Sequence, residues 1–438
     1  MASKVRASVF TIFALFLGTA TVSAQGSAES PNPLNIETDA NKGTVSDSIQ
    51  YLDRTGEPVV FRRSFRPDFL HPDGIDDKAL RLTVLNAANA ILEKVLEKGI
   101  SEFDALAGVG LVMNINNGEI IALASDTSQK TNYAPEINRA MKGVFENLAA
   151  GKLITMALAL DSERFSLNSR INAKEPLQIG RHRISDANPQ NRELSVQEVF
   201  QYSSNIGSAR IVSAFTPEQH YSFFQKLGMV DSLSVPLLGY NEPILPRGKW
   251  TELNSATISF GHGMAVSPLH ASVAISSLLN GGKRINPTIV QTLETTSNLK
   301  GEQVVSAKTS ELVRYLFRMN AEKGSAKVAD IKGYFAGGVA STANKVVNGY
   351  YSDKKVLTNF VSAFPIDKPQ YLLMVILDEP KDGGPKKVFR LAPFNAGVIS
   401  GRIIPQIAEL MGIEHREIAP TNPFPEVKKA SNRRASLH

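Results

Sequence analysis

A serine hydroxyl is a weak nucleophile at neutral pH and takes part in acyl transfer only when a neighbouring base removes its proton. The residue types that could build such a site are few in this chain. Ser203-Ser204-Asn205 puts two hydroxyls and an amide together, a set that serves equally as a helix cap or a polar loop. His182 with Asp186 offers one imidazole and one carboxylate, short of a ligand set, so no metal is expected. His262 is a lone histidine in a Phe-Gly-His-Gly stretch, a setting in which histidine is more often structural than catalytic. Gly281-Gly282 mark a turn and not a phosphate loop. There is no cysteine, which excludes thiol nucleophiles, thiolate metal sites and disulfides. No cofactor is expected.

These residues need a scaffold, and the pattern supplies one. Residues 80–98 carry apolar side chains at helical spacing. Residues 108–114 and 119–124 are apolar runs separated by Asn116-Asn117-Gly118, the strongest short hairpin signal. Val59-Val60-Phe61 reads as a short strand. Residues 138–227 read as mostly helical, with a capping box at Ser195 and Glu198. Strands return at residues 358–364 and 370–377, followed by a closing helix over residues 395–411. A strand pair, a helical insertion, more strands and a terminal helix define an α+β domain, with an antiparallel sheet packed by helices on both sides.

The chain has 438 residues, 42% hydrophobic and 21% charged, the balance of a globular protein. Its net charge of +6 is partly concentrated in Lys428, Lys429, Arg433 and Arg434, a solvated tail, so no nucleic-acid partner is expected. Lys4 and Arg6, then an apolar run to Val22 and Ser23-Ala24-Gln25, have the layout of a cleavable export signal over residues 1–24. Periplasmic export is therefore expected, with an uncleaved inner-membrane anchor as the alternative. Residues 25–45 read as a linker, 46–79 as a short N-terminal stub, 80–413 as the main domain and 414–438 as a basic, proline-containing tail.

Five ordered segments resemble the class B penicillin-binding proteins, most closely the septal peptidoglycan transpeptidase of cell division. They are residues 107–125; Phe145-Glu146 with Lys152 and residues 155–160; Ser203-Ser204-Asn205-Ile206-Gly207; residues 260–269; and Gly338 to Lys345 with residues 360–365. The resemblance implies a penicillin-binding transpeptidase (serine β-lactamase-like) fold with a helical subdomain, and a pedestal cut down to the stub. It also implies acyl transfer from D-alanyl-D-alanine through an S-x-x-K serine. Aligned on Lys152, that serine is Ala149, with Ala150 and Gly151 between. In the family Ser203 would relay protons, Asn205 would hold the substrate amide, and the N–H groups of residues 149 and 342 would bind the oxyanion. The third motif, K-T-G, aligns with Val339-Ala340-Ser341 followed by Thr342, so the cation and hydroxyl that bind the substrate's terminal carboxylate are both replaced.

A methyl group cannot attack a carbonyl. The reading is therefore a pseudo-transpeptidase, leaning against enzymatic activity, whose degenerate cleft is Ala149, Lys152, Ser203 and Asn205, with Ser203, Asn205 and Thr342 left for weak binding. Its expected partners are peptidoglycan stem peptides or cell-wall and division proteins. Two alternatives stand beside it: a residual D,D-transpeptidase or carboxypeptidase working through Ser203, and a regulator of a genuine division transpeptidase.

Overall fold

The computed structural model describes residues 50–59, 79–128, 139–146, 149–233, 235, 240–291, 301–347, 350–381, 390–417, 420, 423, 424 and 427. The expected export signal and linker, and Val60-Phe61 of the expected first strand, lie outside the described residues. The N-terminal strand that is described is β1 (Gln50–Leu52), which pairs in parallel with β2 (Ala79–Arg81). This shortens the helix expected from residue 80. Leu80 is buried as a strand residue and Leu82 in an isolated bridge to Val290, and α1 begins only at Asn86 and runs to Glu102 after an extended Leu85. Apolar residues at positions 80, 82 and 85 fit a helical stripe and an alternating strand alike, and the pairing with β1 decides between them.

β3 (Ala107–Asn114) and β4 (Ile120–Thr127) form the expected hairpin. Its turn is held by Asn114 Oδ1 accepting from the Asn116 N–H at 2.9 Å and by Asn117 Oδ1 accepting from the Glu119 N–H at 3.1 Å. Gly118 has φ +74°, and a Cβ there would lie 2.3 Å from the Asn286 carbonyl, so glycine is required. The helical part follows: α2 (Ala150–Asp161), α3 (Val196–Gln201), α4 (Asn205–Val212), α5 (Pro217–Lys226), α6 (Glu252–Ile258), α7 (Pro268–Leu279) and α8 (Ala307–Lys323). The Ser195–Glu198 capping box starts α3. β5 (Gly337–Val347), β6 (Tyr350–Phe364), β7 (Tyr371–Asp378) and α9 (Ala396–Leu410) close the domain.

The sheet is antiparallel in the order β5-β6-β7-β3-β4, with β5 at one edge. Alternation along the strands makes two buried faces. Val112, Phe360, Phe364, Leu373 and Val375 pack with α1 and α9, whereas Leu111, Val361, Met374 and Val339 pack with the helical layer.

One ion pair ties the N-terminal segment to this sheet. Arg54 binds the carboxylate of Glu119, whose side chain is fully buried while that of Arg54 is 32% exposed. Removing the cation strands a buried carboxylate, which typically costs about 3–5 kcal/mol. Arg54→Ala is expected to lose about 3 kcal/mol in urea unfolding, the low end, because water reaches the site. Adding Glu119→Gln to Arg54→Ala should recover most of that loss, and a double variant no more stable than the single one would remove this account.

Candidate functional site

The cleft is built around the start of α2. Ala149 stands just before the helix in a left-handed conformation, φ 60°, with no side-chain cap, and is buried at 4% exposure. The first turn is pressed against the end of α6: a Cβ on Gly151 would lie 2.6 Å from the Ile258 carbonyl and 2.7 Å from the Gly261 nitrogen. The Thr155 hydroxyl, 2.9 Å from the Gly151 carbonyl and 3.0 Å from the Ser259 carbonyl, holds the same junction. This packing fixes where Lys152 emerges.

Lys152 is half-buried, and burial pushes its pKa down to about 8 against the opposing attraction of Asp186. Among the described residues the amine has no hydrogen-bond partner. Asp186 is the hub between α2 and the Ser-Ser-Asn turn. It accepts from the Ser204 hydroxyl at 2.7 Å, the Asn205 N–H at 2.6 Å and the Ile206 N–H at 2.9 Å, so its charge sits on the N-terminus of α4. Ser204 caps α4 by accepting from the Gly207 N–H at 2.9 Å. Ser203 is exposed, with φ 54°, and its hydroxyl has no partner among the described residues. Asn205 donates to the Ser185 carbonyl at 3.3 Å. The triplet thus divides: the middle serine is the α4 cap, Ser203 is left exposed and Asn205 is half-buried. Replacing Asp186 by Asn should lower the Lys152 pKa below its present value, because the one attraction that favours the ammonium is gone. An NMR titration of the lysine side chain measures this, and an unchanged value would remove the coupling.

The expected third-motif residues lie on β5. Val339 is buried with the helical-layer core at 8% exposure, Ala340 packs toward the α9 side, and Ser341 is half-buried. The Thr342 hydroxyl accepts from the Ala392 N–H at 2.9 Å. Lys345, a conceivable substitute for the missing cation, is committed elsewhere, 2.7 Å from Asp378 and 2.8 Å from Glu379.

Two residues without a role in the sequence reading complete the cleft's far end. Glu146, in a two-residue strand paired with Ala265–Val266, accepts from the Tyr351 hydroxyl at 3.0 Å and the Gly263 N–H at 3.3 Å. Burial pushes its pKa up to about 7, and burial with the nearby Glu146 charge pushes the Tyr351 phenol up. His262 packs 5.3 Å from the Tyr351 ring, and its Nε2 is shut off from solvent with no partner among the described residues. Burial and then the Lys152 charge push its pKa down to about 4. Tyr351 carried no local signal, because its place depends on the β5–β6 hairpin reaching back across 205 residues to Glu146.

A five-stranded antiparallel sheet backed by α1 and α9 and faced by a helical layer is the penicillin-binding fold. The penicillin binding protein transpeptidase domain model matches residues 108–392. The chain belongs to this family. It is 32% identical over 389 residues to a probable peptidoglycan D,D-transpeptidase of Caulobacter vibrioides, covering 85% of this chain and 66% of that protein. It is 29% identical over 337 residues to a probable peptidoglycan D,D-transpeptidase of Neisseria flavescens, covering 75% of this chain and 80% of that one. Against the stage V sporulation protein D of Bacillus subtilis it is 26% identical over 360 residues, covering 78% of this chain and 55% of that one. Among solved structures, the transpeptidase domain of Burkholderia pseudomallei penicillin-binding protein 3 superposes with a TM-score of 0.69 at 26% identity, covering 77% of this chain and 98% of that domain.

Proposed function

We propose that this chain keeps the penicillin-binding fold as a non-catalytic module of peptidoglycan or cell-wall metabolism, acting by binding or scaffolding in the periplasm. The observation that carries the reading is Ala149 at the helix start where the family's nucleophile stands, beside a cleft whose Lys152, Ser203 and Asn205 persist. The Val339-Ala340-Ser341 replacement supports it, because a carboxylate there would lose charge-assisted bonds worth ~1.5–3 kcal/mol each. Residues 1–24 are proposed as the export signal, and no helix among the described residues is long and apolar enough to cross a membrane. The stub at 46–79, the transpeptidase-like unit at 80–413 and the tail at 414–438 remain the proposed division of the mature chain.

A second reading, residual acyl transfer through Ser203, has in its favour a hydroxyl without a partner and a lysine amine without one. Against it, the N–H groups of residues 149 and 342 are aimed at a carbonyl attacked from position 149. A third reading makes the chain a regulator of a genuine division transpeptidase, contacted through a surface of this domain. Fluorescent penicillin tests the first two: labelling of the wild type at a defined residue, lost on Ser203→Ala, would overturn the non-catalytic reading.

A further inference from the structure

We infer that the segment following α9 is a strap, seated at Arg416 and Phe424, that sets the turn feeding β5 and so couples the C-terminal part of the chain to the strand carrying the expected third motif. The coupling holds whether or not the cleft is catalytic, and so goes beyond the reading above.

The entry to β5 is a strained turn. Phe335, two residues before Gly337, is 8% exposed and lies in the left-handed region at φ 47°. A bulky side chain persists there only where its surroundings over-determine it. The Phe335 carbonyl accepts from the Ile366 N–H at 2.9 Å. Arg318 of α8 stands 4.5 Å over the Phe335 ring and donates to the Ala336 carbonyl at 2.9 Å. Arg416 is a second cation on the same ring, at 5.6 Å.

Arg416 is itself fixed from several sides. Its Nη1 and Nη2 both donate to the Asp367 carboxylate at 2.8 Å, a bidentate pair, and the Asp367 side chain is 9% exposed. Its N–H donates to the Gly333 carbonyl at 2.7 Å. Gly333 has φ +93°, and a Cβ there would lie 2.0 Å from His415 Nε2, so the turn leaves room for the strap to lie against it. The His415 ring meets Tyr334 edge-on at 5.4 Å. Further along, Phe424 is 5% exposed within the helical-layer core, its ring 5.8 Å from Tyr315 of α8. One helix therefore supports every part: Arg314 holds the Asp367 carbonyl at 2.8 Å, Tyr315 meets the strap and Arg318 holds the turn.

This arrangement transmits, because the contacts form a chain. Arg416 holds Asp367, its neighbour Ile366 holds the Phe335 carbonyl, and Phe335 leads into β5. The strand it leads into is an edge, laddered to β6 alone, so its start depends on that turn. With the strap lifted, Phe335 loses a cation from its ring and Asp367 loses its bidentate partner. The left-handed turn is then free to relax, and residues 337–342 follow. β3 and β4, at the other side of the sheet, touch none of these groups.

Hydrogen exchange of the full chain, read by mass spectrometry, compares residues 333–342 with β3 and β4. Arg416→Ala is expected to raise exchange of 333–342 at least about tenfold and to leave β3 and β4 within about twofold of the wild type. Arg416→Lys keeps the charge but not the fork, and is expected to fall between the two; where the alanine variant does not fold, it carries the same comparison. A chain ending at Ile413 is expected to show the same local rise, and a synthetic peptide of residues 414–430, added in excess, to reverse it. Exchange of 333–342 that is unchanged in the folded variants, or raised no more than that of β3 and β4, would overturn the proposal, since the segment would then be packing without coupling. A peptide that fails to protect 333–342 in the folded, shortened chain would overturn it as well.

Discussion

Wild-type protein is expected to show no covalent labelling by fluorescent penicillin, and the variant carrying Ala149→Ser, Val339→Lys, Ala340→Thr and Ser341→Gly is expected to be labelled at position 149. Loss of a catalytic serine costs on the order of 10⁶-fold in comparable systems, and what remains comes from binding and oxyanion stabilisation. Lys152 has its pKa brought to about 8, so a substantial share of free amine is present just above neutrality to take the hydroxyl proton. Its position is set by the tight α2–α6 junction, which the substitution at 149 leaves alone. The third-motif changes add a cation and a hydroxyl for the ligand carboxylate, each ~1.5–3 kcal/mol or about 10- to 150-fold, so Ala149→Ser alone should acylate slower than the quadruple variant by about 10²- to 10⁴-fold. Val339 is core-packed, and its replacement by lysine is therefore accompanied by a melting-temperature measurement. Labelling gels with mass-spectrometric assignment of the adduct decide it: an adduct on the wild type ends the pseudoenzyme account, and an inert, folded quadruple variant shows that the cleft has diverged beyond these four positions.

What the sequence made readable follows the range of the interactions concerned. Asn116-Asn117-Gly118 specified its hairpin because the turn's hydrogen bonds are made by those residues themselves. Ser195 and Glu198 specified the start of α3 for the same reason. The helix start near residue 80 was misread because Leu80 and Leu82 owe their burial to a strand 29 residues away, as the pairing of Tyr51 with Leu80 makes plain. The expected site residues, Ala149, Lys152, Ser203, Asn205 and the 339–342 stretch, were named from a family pattern and not from local hydrogen bonding. Asp186, 18 positions before Ser204, was readable only as part of an incomplete ligand set, since its role depends on α4 folding back over it. The Arg54–Glu119 pair spans 65 positions and had no local trace.

The buried titratable groups give the second large expected effect, a stability that falls on mild acidification with a slope set by three residues of opposing sign. His220 is fully buried, with Nδ1 2.7 Å from the Ser255 hydroxyl and Nε2 without a partner, and burial pushes its pKa down from 6.5 to about 3. His262 is pushed from 6.5 to about 4. In the unfolded chain both histidines bind protons as pH falls below 6.5, while in the folded protein neither does until far lower, so the stability they contribute is present above 6.5 and lost toward 4. Glu146 acts the other way: raised from 4.5 to about 7, it keeps its proton in the folded state, so its contribution is present at low pH and lost as pH rises to 7. Near pH 5.5 the unfolded state binds nearly two more protons at the histidines and nearly one fewer at Glu146, a net of about one, or about 1.4 kcal/mol lost per pH unit of acidification. His270, also depressed by burial, adds to the same direction. Carboxylates such as Glu198, held down to about 2 by Arg192, titrate below this window. Urea unfolding between pH 6.5 and 5 should show at least this slope in the wild type, a clearly steeper one in Glu146→Gln, and a clearly shallower one in His220→Phe. An unchanged slope in His220→Phe would mean that its ring reaches water or a proton acceptor in the folded protein, and the buried-imidazole account would fail.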